Sequence, residues 1–339
     1  MPGDLTVDPG RLFAPLLGRA GVGLAVSGGP DSLALLLLAA EWRRGGGDVP
    51  PLFVYSVDHG LRPEAADEVR FVVAEAARRG LPARALTWIG AKPATGIQAA
   101  ARRARYGLIR EAMAGDGADV LVTAHHLADQ AETVLMRLAH GSGVEGLRGM
   151  DRMAVVEGCT IFRPLLGVTP ELLHRLVADA GLTAVSDPSN WDTDYERVRW
   201  RTMLPQLADL GLDAARLGTF ARRMGEVDAM LEAQAEAALG QLVRRAEARA
   251  ELDAAALAGL ARPIAVRLLG RLLAEIGGNR KPRALGVIEA LHDKLIAGTT
   301  LKRTSLHGCL VSRDGAAIVV AREPARWRPA PSAANVTRN

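Results

Sequence analysis

Between Gly21 and Ala139 the chain runs four times from a short apolar segment into a longer helical pattern. The spacing predicts strands over 21–26, 52–57, 83–89 and 119–124, and helices over 31–44, 64–79, 97–114 and 129–139. Strands that alternate with crossover helices build βαβ units, so the expected fold class is α/β with a doubly wound, mostly parallel sheet. Four glycines follow (Gly141, Gly143, Gly146, Gly149), then a short apolar segment to Leu166 and a helix predicted over 169–180. Pro205 is expected to close the next, polar stretch, because proline disfavours helix at the residue before it.

A length of 339 residues points to two domains at roughly 150 residues each. The expected division is a catalytic domain over 1–205, a second, mainly helical domain over 206–329, and a flexible tail over 330–339. The second domain is expected to end in a small β-hairpin turning at Asp314-Gly315. Hydrophobic residues make up 49% of the chain, which excludes wholesale disorder. The longest apolar run, 33–40, is far short of the roughly 20 residues of a membrane helix, and the N-terminus shows no signal pattern. Two distant cysteines, Cys159 and Cys309, make no disulfide framework, which fits a reducing cytoplasmic location.

Charge is distributed unevenly. Residues 1–205 carry 22 basic and 24 acidic side chains, whereas 261–339 carry 14 basic and 5 acidic ones. A basic end suits a polyanionic partner, and a solvated arginine-rich surface accounts for it equally well.

The polar residues that follow the strands carry the chemistry. Ser27-Gly28-Gly29-Pro30-Asp31-Ser32 joins the first strand to a helix, with glycines that admit a ligand close to the backbone and a helix N-terminus that favours an anion. No Gly-Lys-Ser/Thr follows, so this is not a Walker A loop. An acid beside phosphate oxygens calls for a cation, which makes Asp31 a candidate Mg²⁺ ligand. Asp58 follows the second strand, and His125-His126 follows the fourth. In open parallel sheets ligands bind outside the carboxyl ends of the strands, so these clusters converge on one nucleotide cleft. Asp58 as a helix cap and His125 as a packed histidine are the structural alternatives.

Asp129 and Glu132 share a face at the start of the fourth helix. First-turn acids suit the helix dipole, and Asp129 also suits Mg²⁺ over an ATP phosphate. Arg102 and Arg105 share a face of the third helix, where an arginine can neutralise developing phosphate charge. The stretch 186–201 interleaves Trp191, Tyr195 and Trp200 with Arg197, Arg199 and Arg201. Such a pattern suits stacking on an unpaired base, or a structured loop that caps the sheet edge.

Taken together, SGGPDS (27–32), VDHGLRPE (57–64), ARRARY (101–106), TAHHLADQAETVLMRLAHGSG (123–143), RPLL (163–166) and DPSNWDTDYERVRWR (187–201) resemble the PP-loop ATP pyrophosphatase family, and within it the tRNA(Ile)-lysidine synthetases. The resemblance implies an adenine nucleotide alpha hydrolase-like fold and an ATP-dependent carbon-nitrogen ligase. Such an enzyme attaches L-lysine to C2 of cytidine 34 in the CAU anticodon of tRNA(Ile), through an adenylated base, with release of pyrophosphate and AMP. It implies that Ser27, Gly28, Gly29, Pro30 and Ser32 cradle pyrophosphate, and that Asp58 and His125 line the ATP site. Asp31 and Asp129 would position Mg²⁺, Arg105 and Arg197 would meet the α-phosphate, and Glu132 would engage the lysine amine. Arg199, Arg201, Arg280, Lys281 and Arg283 are the expected tRNA contacts, with the protein a monomer or homodimer.

One departure stands at Ala128, where the family commonly has a further aspartate. Base thiolation by a related PP-loop enzyme is the alternative, but it generally needs a pair of sulfur-carrying cysteines. A non-catalytic tRNA-binding protein would have no use for acids beside an anion site.

Overall fold

The computed structural model describes residues 7–93, 95–185, 192–278, 285–298 and 300–324, in two compact units, 1–224 and 225–339. The first unit contains α1 (Pro9–Phe13), β1 (Val22–Ala25), α2 (Pro30–Arg44), β2 (Leu52–Asp58), α3 (Ala65–Arg78), β3 (Ala83–Thr87), α4 (Ile97–Asp116), β4 (Val120–Val122) and α5 (Leu127–Ala139). It continues through α6 (Val144–Leu147), β5 (Met153–Val156), β6 (Cys159–Phe162), α7 (Pro170–Asp179), α8 (Glu196–Asp209) and the start of α9 (Ala214–Leu242). Every strand and helix expected before Ala139 is present, with ends displaced by a few residues.

The sheet order is β3-β2-β1-β4-β6-β5, parallel except for the edge strand β5. The chain winds from β1 outward to β3, then returns to place β4 on the other side of β1. This reversal opens a crevice beyond the carboxyl ends of β1 and β4. Gly23 of β1 is required by packing, since a Cβ there would stand 2.7 Å from Cε2 of Tyr55. Helix α2 is buried on most sides, with Leu33, Leu35, Leu36 and Leu38 almost wholly inaccessible and Trp42 stacked on Phe13. Burial of each such leucine contributes roughly 1.5–3 kcal/mol, which anchors the loop in front of the helix. The β5–β6 hairpin was not among the expected strands. It turns on Glu157 and Gly158, both with positive φ (50° and 79°), and Glu-Gly is a weaker turn signal than Asn-Gly.

Pro205 does not end a helix, contrary to expectation, but lies inside α8. An internal proline costs a helix about 3 kcal/mol. The apolar face of α8 offsets this, because Trp200, Leu204 and Leu207 pack with Ala131, Val134 and Leu135 of α5. The division between the two units falls within α9, after Met224.

The second unit contains the rest of α9, β7 (Val243–Ala246), β8 (Arg249–Asp253), α10 (Ala254–Ala258), α11 (Arg262–Gly277), α12 (Leu285–Ala297), β9 (Thr300–Leu306), β10 (Cys309–Asp314) and β11 (Ala317–Arg322). The hairpin at Asp314-Gly315 is present within a larger five-stranded antiparallel sheet, β7-β8-β11-β10-β9. Residues 243–253, expected to be helical, form its β7–β8 hairpin. Their alanines, arginines and glutamates favour helix singly, yet alternate so that Ala250 and Leu252 face the core. The first arm of the Asp314-Gly315 hairpin, β10, pairs in turn with β9 across a turn at His307-Gly308. Among the described residues no helix is long and apolar enough to cross a membrane.

Candidate active site

The loop between β1 and α2 is shaped as an anion cradle. Gly28 has φ +89°, and a Cβ at that position would stand 3.1 Å from Val185, whose N–H donates to the Gly28 carbonyl at 2.9 Å. Gly29 begins α2 with no side chain capping it, so the first-turn N–H groups remain available to a ligand. The Ser32 hydroxyl folds inward, accepting from Ser27 N–H at 3.2 Å and donating to the Gly29 carbonyl at 2.9 Å. Ser27 and Ser32 Oγ atoms are 3.3 Å apart.

Asp31 projects from the first turn of α2. Its Oδ1 is buried without a hydrogen bond, and His174 Nε2, 3.3 Å away, is not aligned to donate one. Its Oδ2 is 3.5 Å from His126 Nε2, which is in turn 3.6 Å from Asp129 Oδ2. His126 caps α5: its backbone N–H donates to Asp129 Oδ2 at 3.0 Å, and its Nδ1 accepts from Asp129 N–H at 3.4 Å. The ring proton is therefore on Nε2, facing both acids. Burial pulls the His126 pKa down, but the carboxylates of Asp31, Asp129 and Glu132 outweigh it and leave it above the ordinary histidine value. Burial likewise opposes the charge of Asp129, yet His126 and Arg197 hold its carboxyl below the usual range. His125 differs from its neighbour, since burial lowers its pKa to about 4 and keeps it neutral, with Nδ1 2.8 Å from Thr123 Oγ1.

Among the described residues no cluster of three or more His, Cys, Asp or Glu side chains is arranged to hold a metal by itself. Mg²⁺ bound with a nucleotide needs only one or two carboxylates besides the phosphates. The Asp31 oxygen that accepts no hydrogen bond fits that need, while Asp129 already has Arg197 on Oδ1 at 2.9 Å.

Glu132 has no exposed surface, and α8 closes over it. Arg197 Nε donates to one of its oxygens at 2.6 Å and Arg201 Nε to the other at 2.7 Å. An amine would meet this carboxylate, the expected receiver of lysine, only by displacing one of these arginines. Arg201, expected to contact tRNA, is turned inward onto the same acid. Sequence spacing could not show either contact, because the partners lie 65 and 69 residues apart. The pairing of two arginines one helical turn apart, at i and i+4, was the available signal.

The remaining expected residues are distributed along the crevice. Asp58, at the end of β2, accepts from Gly60 N–H at 2.7 Å in a local turn and caps no helix, since Glu64 stands at the N-cap of α3. Arg105 reaches from α4 to the same strand end, its Nε donating to His59 Nε2 at 3.4 Å. Among the described residues no carboxylate pairs with it, which leaves it available to an anion. Arg102 lies over the ring of Tyr106. Arg199 is exposed and donates to the carbonyls of Thr193 and Asp194. Trp191 and the Asp187–Asn190 part of its motif, with Arg280, Lys281 and Arg283, lie outside the described residues. His126, expected at the cleft from its place after the fourth strand, and His174, which the sequence did not single out, are both within ion-pair distance of Asp31.

Residues 8–207 match a PP-loop domain family. The tRNA(Ile)-lysidine synthase of Rhodopseudomonas palustris is 45% identical over 329 residues, covering 93% of this chain and 94% of that protein. The protein of the same name from Bradyrhizobium diazoefficiens is 41% identical over 94% of each chain, and that of Methylobacterium nodulans 44% identical over 90% of this chain and 91% of its own. Among solved structures, the U34-tRNA thiolase NcsA of Methanococcus maripaludis superposes with a TM-score of 0.54 at 17% identity, covering 64% of this chain and 78% of that one, a likeness of fold.

Proposed function

The chain belongs to the tRNA(Ile)-lysidine synthase family of PP-loop enzymes, and from that premise we propose that it is an ATP-dependent ligase that joins lysine to C2 of cytidine 34 in the CAU anticodon of tRNA(Ile). The observation that carries this reading is the cradle at the end of β1, with a buried Asp31 oxygen beside it that accepts no hydrogen bond, and an acid-arginine cluster after β4. Acting on tRNA, the enzyme works in the cytoplasm.

In the first half-reaction the C2 oxygen of cytidine 34 attacks the α-phosphorus of ATP, and the bond to the β-phosphate oxygen breaks. Ser27, Gly28, Gly29 and Ser32 hold the departing pyrophosphate through backbone N–H groups and the helix dipole. Pro30 presets the first turn of that helix. Asp31, with Asp129 beside it, would hold magnesium, whose charge offsets that of the phosphate oxygens. Arg105 and Arg197 meet negative charge that develops on the α-phosphate. His125, neutral at physiological pH, lines the ATP pocket. In the second half-reaction the uncharged ε-amine of lysine attacks C2, the C2–oxygen bond breaks, AMP leaves and the amine loses its extra proton.

Sulfur transfer is the poorer reading. It requires accessible thiols, and the only two cysteines of the sequence, Cys159 and Cys309, are both buried. The proposal is tested by incubating the protein with ATP, Mg²⁺, labelled lysine and tRNA(Ile) bearing CAU. Label enters the tRNA if the reading is right. Absence of label, or equal labelling of a tRNA with uridine at position 34, would falsify it.

A further inference from the structure

Arg197 and Arg201 stand one turn apart on α8, and each is gripped from behind. Arg197 spends Nε on Glu132 and one terminal nitrogen on the Asp129 carboxylate, at 2.6 and 2.9 Å. Arg201 spends Nε and one terminal nitrogen on the two oxygens of Glu132, at 2.7 and 3.4 Å. Among the described residues the other terminal nitrogen, Nη1, of each guanidinium has no protein partner. The two side chains are 39% and 43% exposed, whereas the carboxylate behind them is sealed.

We propose that Arg197 and Arg201 form a paired guanidinium fork for a phosphoryl oxygen of the bound nucleotide, with Glu132 as the positioning residue that aims it. The inference rests on the reading that this crevice takes ATP, and it adds Arg201 to the phosphate-binding set. Three observations carry it.

Packing does not require the ion cluster, since Trp200, Leu204 and Leu207 already seat α8 on α5. Burying a carboxylate costs several kcal/mol that an apolar brace would not incur. The position is right as well. From Asp31 beside the cradle, contacts of 3.5, 3.6 and 2.9 Å lead through His126 and Asp129 to Arg197. Charge also decides between ligands. Two guanidinium groups against Asp129 and Glu132 leave little long-range field to attract a polyanion, but leave fixed donors for an oxygen already delivered.

The test uses the full chain with Arg201→Met, Arg201→Lys and Glu132→Gln. Arg201→Met is expected to weaken binding of a non-hydrolysable Mg–ATP analogue, measured by calorimetry without tRNA or lysine, by about 10-fold. It is expected to slow tRNA-dependent ATP–pyrophosphate exchange by about 10² while tRNA affinity stays within about twofold. Arg201→Lys retains charge without the fork geometry and falls between wild type and Arg201→Met. Glu132→Gln lowers kcat for exchange and leaves the KM for tRNA unchanged, a split that a purely structural brace would not produce. Unaltered analogue binding and exchange in Arg201→Met would overturn the proposal, as would a parallel loss of tRNA affinity or an effect confined to the KM for lysine. If the wild-type chain makes no lysidine while Arg201→Met still loses analogue binding, the functional reading fails and the fork stands.

Discussion

Both units pin one helix to another with arginine and carboxylate side chains, and they do so in different ways. In the second unit α11 is held to α9 by Arg267, which donates one terminal nitrogen to Asp228 and the other to Glu232, and by Arg271, which bridges Glu232 and Glu236. Every terminal nitrogen of these two arginines meets a carboxylate, and Asp228 is 5% exposed. In the first unit α8 is held to α5 through the Nε side of Arg197 and Arg201, and a terminal nitrogen of each is spared. The same residue types make a brace in one case and a binding surface in the other. Which atoms of the guanidinium are spent makes the difference.

The largest effect is expected at Asp129. Asp129→Asn should reduce pyrophosphate release by about 10²–10³, because it removes one of the two acids proposed to hold magnesium and one of the two carboxylate partners of Arg197, while tRNA binding stays nearly intact. Equal loss of tRNA binding would make Asp129 a brace like Asp228. The converse experiment is Arg267→Met in the second unit. Removing the Arg267 guanidinium from the buried Asp228 should lower unfolding free energy by about 3 kcal/mol, read by urea denaturation, with exchange kcat unchanged at temperatures where the variant is folded. A fall in kcat without a fall in stability would contradict the division drawn here.

A smaller and more specific effect comes from pH. The His125 pKa of about 4 lies below its ordinary 6.5, so between those values the unfolded chain binds a proton that the folded chain refuses. Stability is fully present above about pH 6.5 and is lost as pH falls toward 4, by at most about 3 kcal/mol. His126 has the opposite sign: its raised pKa adds stability at low pH that is lost as pH rises through it. His125→Gln should therefore flatten the loss on acidification, measured by denaturation at several pH values. An unchanged slope would mean that His125 is not held neutral by burial.

Much of the first unit was legible in advance. The strand and helix pattern before Ala139 follows from hydrophobic periodicity, and the cradle follows from two glycines and a proline at a strand-to-helix turn. The β7–β8 hairpin was not legible, because Arg-Arg-Ala-Glu favours helix locally and only packing of Ala250 and Leu252 reveals the alternation. Pro205 was misread for a related reason: its cost is local, while the contacts of Trp200 and Leu204 that offset it are tertiary. Of the site, the acids and the Arg197 segment were visible as residue types. Their pairings were not, and the contact of Arg201 with Glu132 is visible only in the folded chain.

The sequence alone determined the α/β unit, its strand ends, the phosphate loop and the residues able to bear charge at those ends. These depend on periods of two and 3.6 residues and on turn chemistry, which act over a few positions. Only the tertiary structure decided which charges are spent on one another and which remain for a ligand. Coulombic and hydrogen-bond energies depend on distance and burial in space, and α8 meets α5 across more than 60 residues of chain.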